Sequence, residues 1–550
     1  MPHNTKYIFI SGGVLSGLGK GTVSASLCYL LKSHGFKVVP VKCENYLNLD
    51  AGLINPIEHG DPFLCEDGAE TDMDLGTYER FLDINLSMEN FITMGQIYKT
   101  VIDKERNFFY KGEDVEAIPH VTDEIIQRIK KVGDKNHADI VVIELGGTAG
   151  EYQNALYYEA SRIMKLKYGD TVVHVHVSYL PTPPHLGEPK TKPTQLSVKL
   201  LNSMGIQPDF IVARADRMID TRRMDRFALF CNVVPEHIIS SPDVPNVYEL
   251  PLIFNKQQFS EKILKLLHLP AKKLELSAWK KLVNLIQSPK KTKVNIAVVG
   301  KYFASGEYHL TDSYASLIEA INHAGWHSQV AVKIKQVNSE KINPQNVAES
   351  LQDCQGIIVP IGWGPRGVDG MIEAIHYARV HKIPYLGLCF GMQLAVVEFA
   401  RNVAHLVDAN TTEVNPKTKY PVVYIIPEQK RNLKLRAYGG TMRLGRWECR
   451  IKPDTLAYKI YNNYNIYERH RHRYEFNDAY ASTLTKAGLI ISGLSVKENL
   501  VEIIELSPQD HPFFMGTQGH PEYKSRPLNP HPIFMEFVKA CTQALRSVES

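Results

Sequence analysis

The sequence predicts an α/β protein of two doubly wound parallel-sheet domains, and three observations carry that expectation. First, short apolar runs alternate with amphipathic stretches over residues 6–270, as in "KYIFIS" (6–11), "FKVVPVK" (36–42), "ADIVVIEL" (138–145), "DTVVHVHVSYL" (170–180) and "PDFIVAR" (208–214). Continuous β-rich runs between helical patterns are the mark of strands buried on both faces of a parallel sheet. Second, the alternation starts afresh at "VNIAVVGKY" (294–302) and continues through "QGIIVPIGWG" (355–364), "IPYLGLCFG" (383–391) and "LVEIIEL" (500–506). Third, each half has a glycine-rich turn directly after a strand, where α/β folds place their ligands.

The whole-chain properties narrow the class. A chain of 550 residues is too long for one ordinary core. With 44% hydrophobic and 22% charged residues it reads as soluble and globular. A net charge of +4 gives no bulk electrostatic reason to bind nucleic acid or membrane. "MPHNTK" leads directly into an apolar strand and does not read as a signal peptide. No apolar run is long enough to span a bilayer. The eight cysteines show no C-x-x-C pair, which suits a reducing cytoplasm and argues against a disulfide framework. Near 274–293 the pattern breaks: "LELSAWKKLVNLIQ" is amphipathic and "SPKKTK" is basic and polar. The expected division is a first domain over 1–273, a linker over 274–293 and a second domain over 294–550.

In the first domain, "SGGVLSGLGKGTVSASL" (11–27) resembles a phosphate-binding loop with odd spacing. Gly13 and Gly19 are separated by five residues, and Gly21 intervenes between Lys20 and Thr22. A tight turn with a surface lysine would show similar residues. The order of strand, loop and helix ("TVSASLCYLLKSHG") favours phosphate, with backbone N–H groups and Lys20 facing the anion. A nucleoside triphosphate needs Mg2+, and Mg2+ prefers carboxylate oxygens. "EDGAETDMDLG" (66–76) supplies acids, and Glu144 ends the strand "IVVIE". "GEPKTKPTQLS" (187–197) places Lys190 and Lys192 on one side of a stretch expected to be extended, suited to a second phosphate chain.

In the second domain, Cys389 sits in G-x-C-x-G within "PYLGLCFGMQ" (384–393), a strand-to-helix elbow that exposes a nucleophile. "GHPEY" (519–523) offers His520 to deprotonate it and Glu522 to orient the imidazole, expected on an extended segment. "VPIGWGPRG" (359–367) is fit to donate an oxyanion N–H from Gly362. "YERHRHRYE" (467–475) holds His470 and His472 at metal spacing, but Arg469, Arg471 and Arg473 oppose a cation, so an anion such as a carboxylate or phosphate is favoured.

Taken in order, "GGVLSGLGKG", "EDGAETDMDLG", "IPHVT", "VIELGGTAG", "KTKPTQ", "ALFCNV", "YLGLCFGMQ", "GGTMRLG", "ERHRHRYE" and "GHPE" resemble the CTP synthase family over nearly the whole chain. The resemblance implies a P-loop NTPase-like amidoligase followed by a flavodoxin-like class I glutamine amidotransferase. It implies amination of UTP at C4: ATP phosphorylates O4, and glutamine supplies ammonia through an internal tunnel. It also implies GTP as activator, CTP as inhibitor, and a cytoplasmic tetramer that often polymerises. Carried over residue by residue, Ser16, Gly17, Leu18, Gly19, Lys20, Gly21 and Lys42 fall at phosphate-contacting positions. Asp74 and Glu144 fall at the Mg2+ positions, and Asp74 is also counted with the nucleotide site. Lys190, Lys192 and Gln195 align with the UTP segment, and Arg214 and Asp243 with the ATP site. Cys389, His520 and Glu522 match the glutaminase triad. Gly362, Phe390, Gln393, Glu413, Arg473 and Tyr474 match the glutamine pocket.

The departures from the family pattern fall in both domains. Two glycines become Ile361-Gly362, and the Phe that follows becomes Trp363. A Ser before Leu18 is Gly17. K-L-D-P-Y-I-N is "KCENYLN", Q-V-I-P-H is "EAIPH", the His after K-T-K-P-T-Q is Leu196, and G-D-I-E-S is "GEYQN" (150–154). The last of these, which in the family contributes to pyrimidine recognition and CTP feedback, puts base recognition and feedback in question, while the triad and phosphate machinery are intact. Two alternatives stand beside the leading reading: the same chemistry on another uracil-like nucleotide, and a nucleotide-sensing filament protein with vestigial catalysis.

Overall fold

The computed structural model describes residues 5–56, 60–305, 308–309 and 313–549. The chain forms two compact units, one of residues 1–50 and 77–283, the other of residues 51–76 and 284–550.

The first unit is built on a seven-stranded sheet. Its strands are β1 (Lys6–Gly13), β2 (Val38–Glu44), β3 (Phe91–Thr93), β4 (Ile140–Leu145), β5 (Val172–Tyr179), β6 (Phe210–Ala215) and β7 (Ile238–Pro242). They lie in the order β3-β2-β4-β1-β5-β6-β7, and every neighbouring pair is parallel. Every residue of β1, β2 and β4 is buried, as expected for strands covered on both faces. Tyr7 and Phe9 of β1 join one core with Val41, Ile143 and Tyr157. A smaller core gathers Leu180, Val198, Ile211 and Phe227. Helix α1 (Lys20–Ser33) follows β1 through the glycine-rich loop.

The stretch expected as a linker carries helix α3 (Ser277–Gln287), which follows α2 (Lys192–Ser203) in the labelled series. Trp279 of α3 is fully buried, stacks on Tyr29 at 4.1 Å between ring centroids, and donates its indole N–H to the Tyr248 carbonyl at 2.7 Å. Residues 277–283 of this helix are therefore part of the first unit's core, its last residues are grouped with the second unit, and the sequence break in "SPKKTK" lies beyond it.

The second unit centres on a nine-stranded sheet of β8 (Thr292–Gly300), β9 (Val330–Asn338), β10 (Gly356–Val359), β11 (Tyr385–Leu388), β12 (Arg443–Ile451), β13 (Asn465–His472), β14 (Ile490–Ser495), β15 (Val501–Glu505) and β16 (Phe514–Thr517). The order is β9-β8-β10-β11-β16-β15-β14-β12-β13. The first five in that order are parallel, and from β15 onward the pairings are antiparallel. Thus "LVEIIEL", which reads like another buried strand, runs against its neighbours. Apolar composition reports burial but not direction. Ala297 and Val299 of β8 enter one core while Val294, Ile296 and Val298 enter the other, so the sheet is covered on both faces. Among the described residues no helix is long and apolar enough to cross a membrane.

Candidate functional site

The loop after β1 takes left-handed backbone angles at Val14 (φ 85°), Gly17 (φ 69°) and Gly19 (φ 91°). Such alternation turns successive N–H groups toward one side and makes a concave anion nest at the start of α1. A side chain at Gly12 would come within 2.7 Å of the Lys20 aliphatic chain, so Lys20 lies folded across the loop. Its ammonium donates to the Gly147 carbonyl at 2.6 Å. Ser16, Gly17, Leu18, Gly19, Lys20 and Gly21 thus occupy one strand–loop–helix corner.

Beside it, Lys42 donates to Glu144 at 2.8 Å and to Glu44 at 3.1 Å, all three side chains being buried or nearly so. Tyr78 also donates to Glu144. Glu144 thus ends β4 as a buried carboxylate among donors, an oxygen donor of the kind Mg2+ takes. Asp74 is the second residue of the helix Met73–Leu82, in the segment grouped with the second unit.

Arg214 donates to Asp243 at 3.1 Å and reaches the Gly17 carbonyl at 3.4 Å. The two line a cavity of about 210 Å³ with Leu18, Gly19 and Val247.

The lysine-rich segment is not extended. Lys192 is the first residue of α2, with Pro193 next, because proline suits a first helical turn and lacks the N–H a strand would need. Lys190 stays outside the helix, paired with Glu188, and Gln195 donates to Thr191 Oγ1 at 3.1 Å. Sequence reasoning missed His176. It bridges Ser11 Oγ (2.9 Å) and Ser197 Oγ (2.8 Å), tying β1 to α2 through β5. Burial pushes its pKa down to about 3, with Lys20 adding to the effect.

In the altered "GEYQN" stretch, Glu151 accepts from the Thr148 N–H at 2.8 Å and from Asn45 at 3.3 Å. Tyr152 is 97% exposed.

In the second unit, Cys389 stands between β11 and helix α4 (Phe390–Asn402) with φ 52° and ψ −98°, a conformation non-glycine residues rarely adopt. The flanking glycines are needed for contact reasons. A Cβ at Gly391 would lie 1.9 Å from the Val359 carbonyl, and one at Gly387 would lie 2.7 Å from the backbone of Gly391. Phe390 opens the helix, where N–H groups have no intrahelical acceptor.

His520 and Glu522 do meet, but across a turn: Pro521–Lys524 is a short 3-10 helix. His520 Nδ1 is 2.7 Å from Glu522 Oε1. Burial works against charging the ring, but Glu522 and Cys389 outweigh it and hold the His520 pKa at about 10. The Cys389 sulfur contacts the Arg471 carbonyl at 3.7 Å and accepts from Gln518 Nε2 at 3.4 Å.

The loop after β10 that carries Gly362 is pinned from several sides. Buried Lys301 donates to the carbonyls of Trp363 (3.0 Å) and Gly364 (2.8 Å) and lies over the Phe390 ring. The Trp363 N–H donates to Tyr302 Oη at 3.0 Å, and the Gly364 N–H to Glu413 at 2.7 Å. Burial lowers the Lys301 pKa to about 8, with Glu413 opposing. A side chain at Gly362 would meet Lys301 at 3.0 Å.

Gln393 Nε2 donates to the Tyr474 carbonyl at 2.8 Å and to Gln518 at 3.2 Å. Arg473 is engaged by Gln429 and by Thr441 at 3.0 Å. Lys301 and Gln518 were not singled out from sequence. Their only signals are "GKY" after β8 and a glutamine just before "GHPE".

Residues 6–269 match the family described as CTP synthase N-terminus, and residues 309–540 match glutamine amidotransferase class-I. A CTP synthase of Caldanaerobacter subterraneus subsp. tengcongensis is 49% identical over 97% of this chain and 98% of its own. A CTP synthase of Sulfolobus acidocaldarius is 49% identical over 98% of this chain and 100% of its own. A solved structure described as Trypanosoma brucei CTPS, glutaminase domain with bound acivicin, is 37% identical and covers 46% of this chain and 94% of that one, with a TM-score of 0.42.

Proposed function

This chain belongs to the CTP synthase family, and from that premise we propose how its residues divide the reaction. As a ligase of that family with a glutamine amidotransferase domain, it converts UTP to CTP with glutamine as the nitrogen donor.

In the second unit, Cys389 attacks the glutamine carboxamide carbon. The C–S bond forms, the C–N bond breaks, and His520 returns a proton to the departing nitrogen. Water then cleaves the thioester to glutamate. Glu522 holds the ring in place, and N–H groups of Gly362 and Phe390 receive the oxyanion. Gln393, Glu413, Arg473 and Tyr474 form the glutamine pocket.

In the first unit, the loop 16–21 with Lys20 and Lys42 holds the triphosphate of ATP. Arg214 and Asp243 bound its nucleoside side, and Lys190, Lys192 and Gln195 hold UTP. ATP phosphorylates O4 of the uracil, and ammonia displaces phosphate at C4. Asp74 and Glu144 would hold Mg2+, which screens phosphate charge when bound. The family resemblance supports a cytoplasmic homotetramer, filament formation, activation by GTP and inhibition by CTP.

The observation that carries the glutaminase half is the buried Cys389–His520–Glu522 set with its strained elbow. A nucleotide sensor with vestigial catalysis has no need of it. The test supplies UTP, ATP and Mg2+ with either glutamine or ammonium and follows CTP. Absence of CTP with both nitrogen sources overturns the reading.

A further inference from the structure

The motif "ERHRHRYE" contributes Arg473 and Tyr474 to the proposed pocket, but its two histidines have no part in that chemistry. His470 and His472 are 1% exposed each, on one face of β13, and burial, reinforced by Arg443, drives both pKa values well below the ordinary range. The anion that sequence favours here is internal: Arg443 Nη2 lies 2.9 Å from Glu502 Oε1, and His470 Nε2 lies 3.4 Å from Glu502 Oε2.

The partners fix the His472 tautomer. His472 Nδ1 faces the Tyr474 carbonyl at 2.9 Å, so it carries the hydrogen. Its Nε2 is then an acceptor, and it faces Arg443 Nη1 at 3.3 Å, a group that can only donate. His470 Nδ1 faces the same Nη1 at 3.1 Å and His472 Nε2 at 3.3 Å, and its Nε2 faces Glu502.

This network ends on an atom of the glutamine pocket. The Tyr474 carbonyl accepts from His472 and also from Gln393 Nε2. Because Gln393 Nε2 is drawn to Tyr474 O and Gln518 Oε1, the Gln393 Oε1 must point elsewhere. It is buried with no hydrogen-bond partner among the described residues, an acceptor left for substrate. The open edge of the same strand meets the triad directly, since the Arg469 carbonyl accepts the His520 N–H at 2.8 Å.

We propose that His472 is a positioning residue for glutamine binding: its Nδ1–H holds the Tyr474 carbonyl, which holds the Gln393 amide with its oxygen toward the substrate. This rests on the glutamine-site reading above.

The two ring nitrogens can be tested separately. Asparagine places an N–H donor near the position of Nδ1, and glutamine places its polar end near Nε2. His472→Ala and His472→Gln should raise the KM for glutamine about fivefold to tenfold, the scale of one lost neutral hydrogen bond. His472→Asn should stay within about threefold of wild type, and glutaminase kcat and ammonium-dependent synthesis should change less than about threefold in all three. The proposal is overturned by an unchanged KM in the alanine and glutamine variants, by a fall in kcat at constant KM, or by an asparagine variant as impaired as alanine. Loss of ammonium-dependent synthesis in all three would assign His472 to folding and overturn it equally. Cys389→Ala run in parallel separates the two readings. If it retains glutamine-dependent synthesis, the glutamine site itself is misassigned. If it loses that activity while the His472 variants bind normally, only the positioning role fails.

Discussion

His520 Nδ1 lies 2.7 Å from Glu522 Oε1 with both side chains buried, and this pair sets the charge state of the glutaminase centre. A ring held at about 10 carries its proton throughout the physiological range. Its folded pKa is raised above the unfolded value, so the pair's contribution to stability is present in full below about 6.5 and is lost as pH rises through about 10. Glu522→Gln removes the charge that opposes desolvation. Glutamine-dependent synthesis should fall on the order of a hundredfold or more, the scale seen when a triad's orienting carboxylate is neutralised. Ammonium-dependent synthesis should persist. Steady-state rates with each nitrogen source decide it, and equal losses would refute the assignment.

Lys20 tests the other chemistry. Folded over Gly12 and anchored on the Gly147 carbonyl, it is placed to neutralise phosphate charge that grows in the transition state. Lys20→Ala should lower CTP formation on the order of a hundredfold or more with either nitrogen source. Glutamine hydrolysis measured alone distinguishes this from general damage, because Cys389 and His520 remain in place. Near-normal ammonium-dependent turnover would return the loop to a plain turn.

Trp279 gives a stability prediction for a segment that sequence reads as a linker. Its ring packs on Tyr29, Phe81 and Tyr248, and its N–H is satisfied. Trp279→Ala should cost about 3–5 kcal/mol, as large aromatic truncations in cores do. Denaturant titration followed by ammonium-dependent activity should show an earlier loss. An unchanged midpoint would mean that α3 is peripheral.

Glu475 makes stability depend on pH in a definite direction. Burial pushes its carboxyl up to about 8; Arg443 opposes this, and Asp478, Glu502 and Glu498 reinforce it. The folded pKa lies above the unfolded one, so the folded state keeps a proton that the unfolded chain releases. Stability from this group is therefore full below about 4.5 and falls as pH rises toward about 8. Glu475→Gln stays neutral and should flatten that fall. Relative to wild type, its Tm should gain on the order of a few degrees between pH 6 and pH 8. A constant Tm difference across that range would contradict the shift.

What the sequence makes legible follows from how local each feature is. The loop 16–21 and the elbow at Cys389 stand out as glycines set between a strand and a helix, although the close approach that requires Gly391 comes from Val359, far along the chain. The amphipathic pattern of "LELSAWKKLVNLIQ" is legible too, but whether its helix belongs to a core or a tether depends on partners far along the chain, such as those of Trp279. Lys301, Gln518 and His176 matter only through what they touch: the carbonyls of 363 and 364, the sulfur of Cys389, and two serines on separate elements. Nothing in their neighbourhoods marks them. The direction of "LVEIIEL" is hidden for a related reason, since a buried strand has the same composition whichever way it runs.

The last prediction concerns Tyr152 and Gln153, where the family resemblance has an aliphatic residue and an acid. From sequence alone, a bulky ring at 152 would crowd a base. In the structure that ring is 97% exposed, and Glu151 closes its own loop on Thr148 and Asn45, so the ring does not fill the first unit's interior. Gln153 is exposed as well, so the expectation rests on the resemblance, in which its amide replaces a carboxylate. A charge-assisted bond replaced by a neutral one loses about 1 kcal/mol, or about fivefold in affinity. CTP should therefore inhibit this enzyme more weakly than a relative with the acid. Gln153→Glu should restore most of that difference, and Tyr152→Ile alone should change little. The measurement is the CTP inhibition constant against UTP for wild type, each single variant and the pair. Strengthening by Tyr152→Ile rather than Gln153→Glu would show that the ring enters the nucleotide site after all. No change in any variant would make both substitutions tolerated variation in the pocket wall.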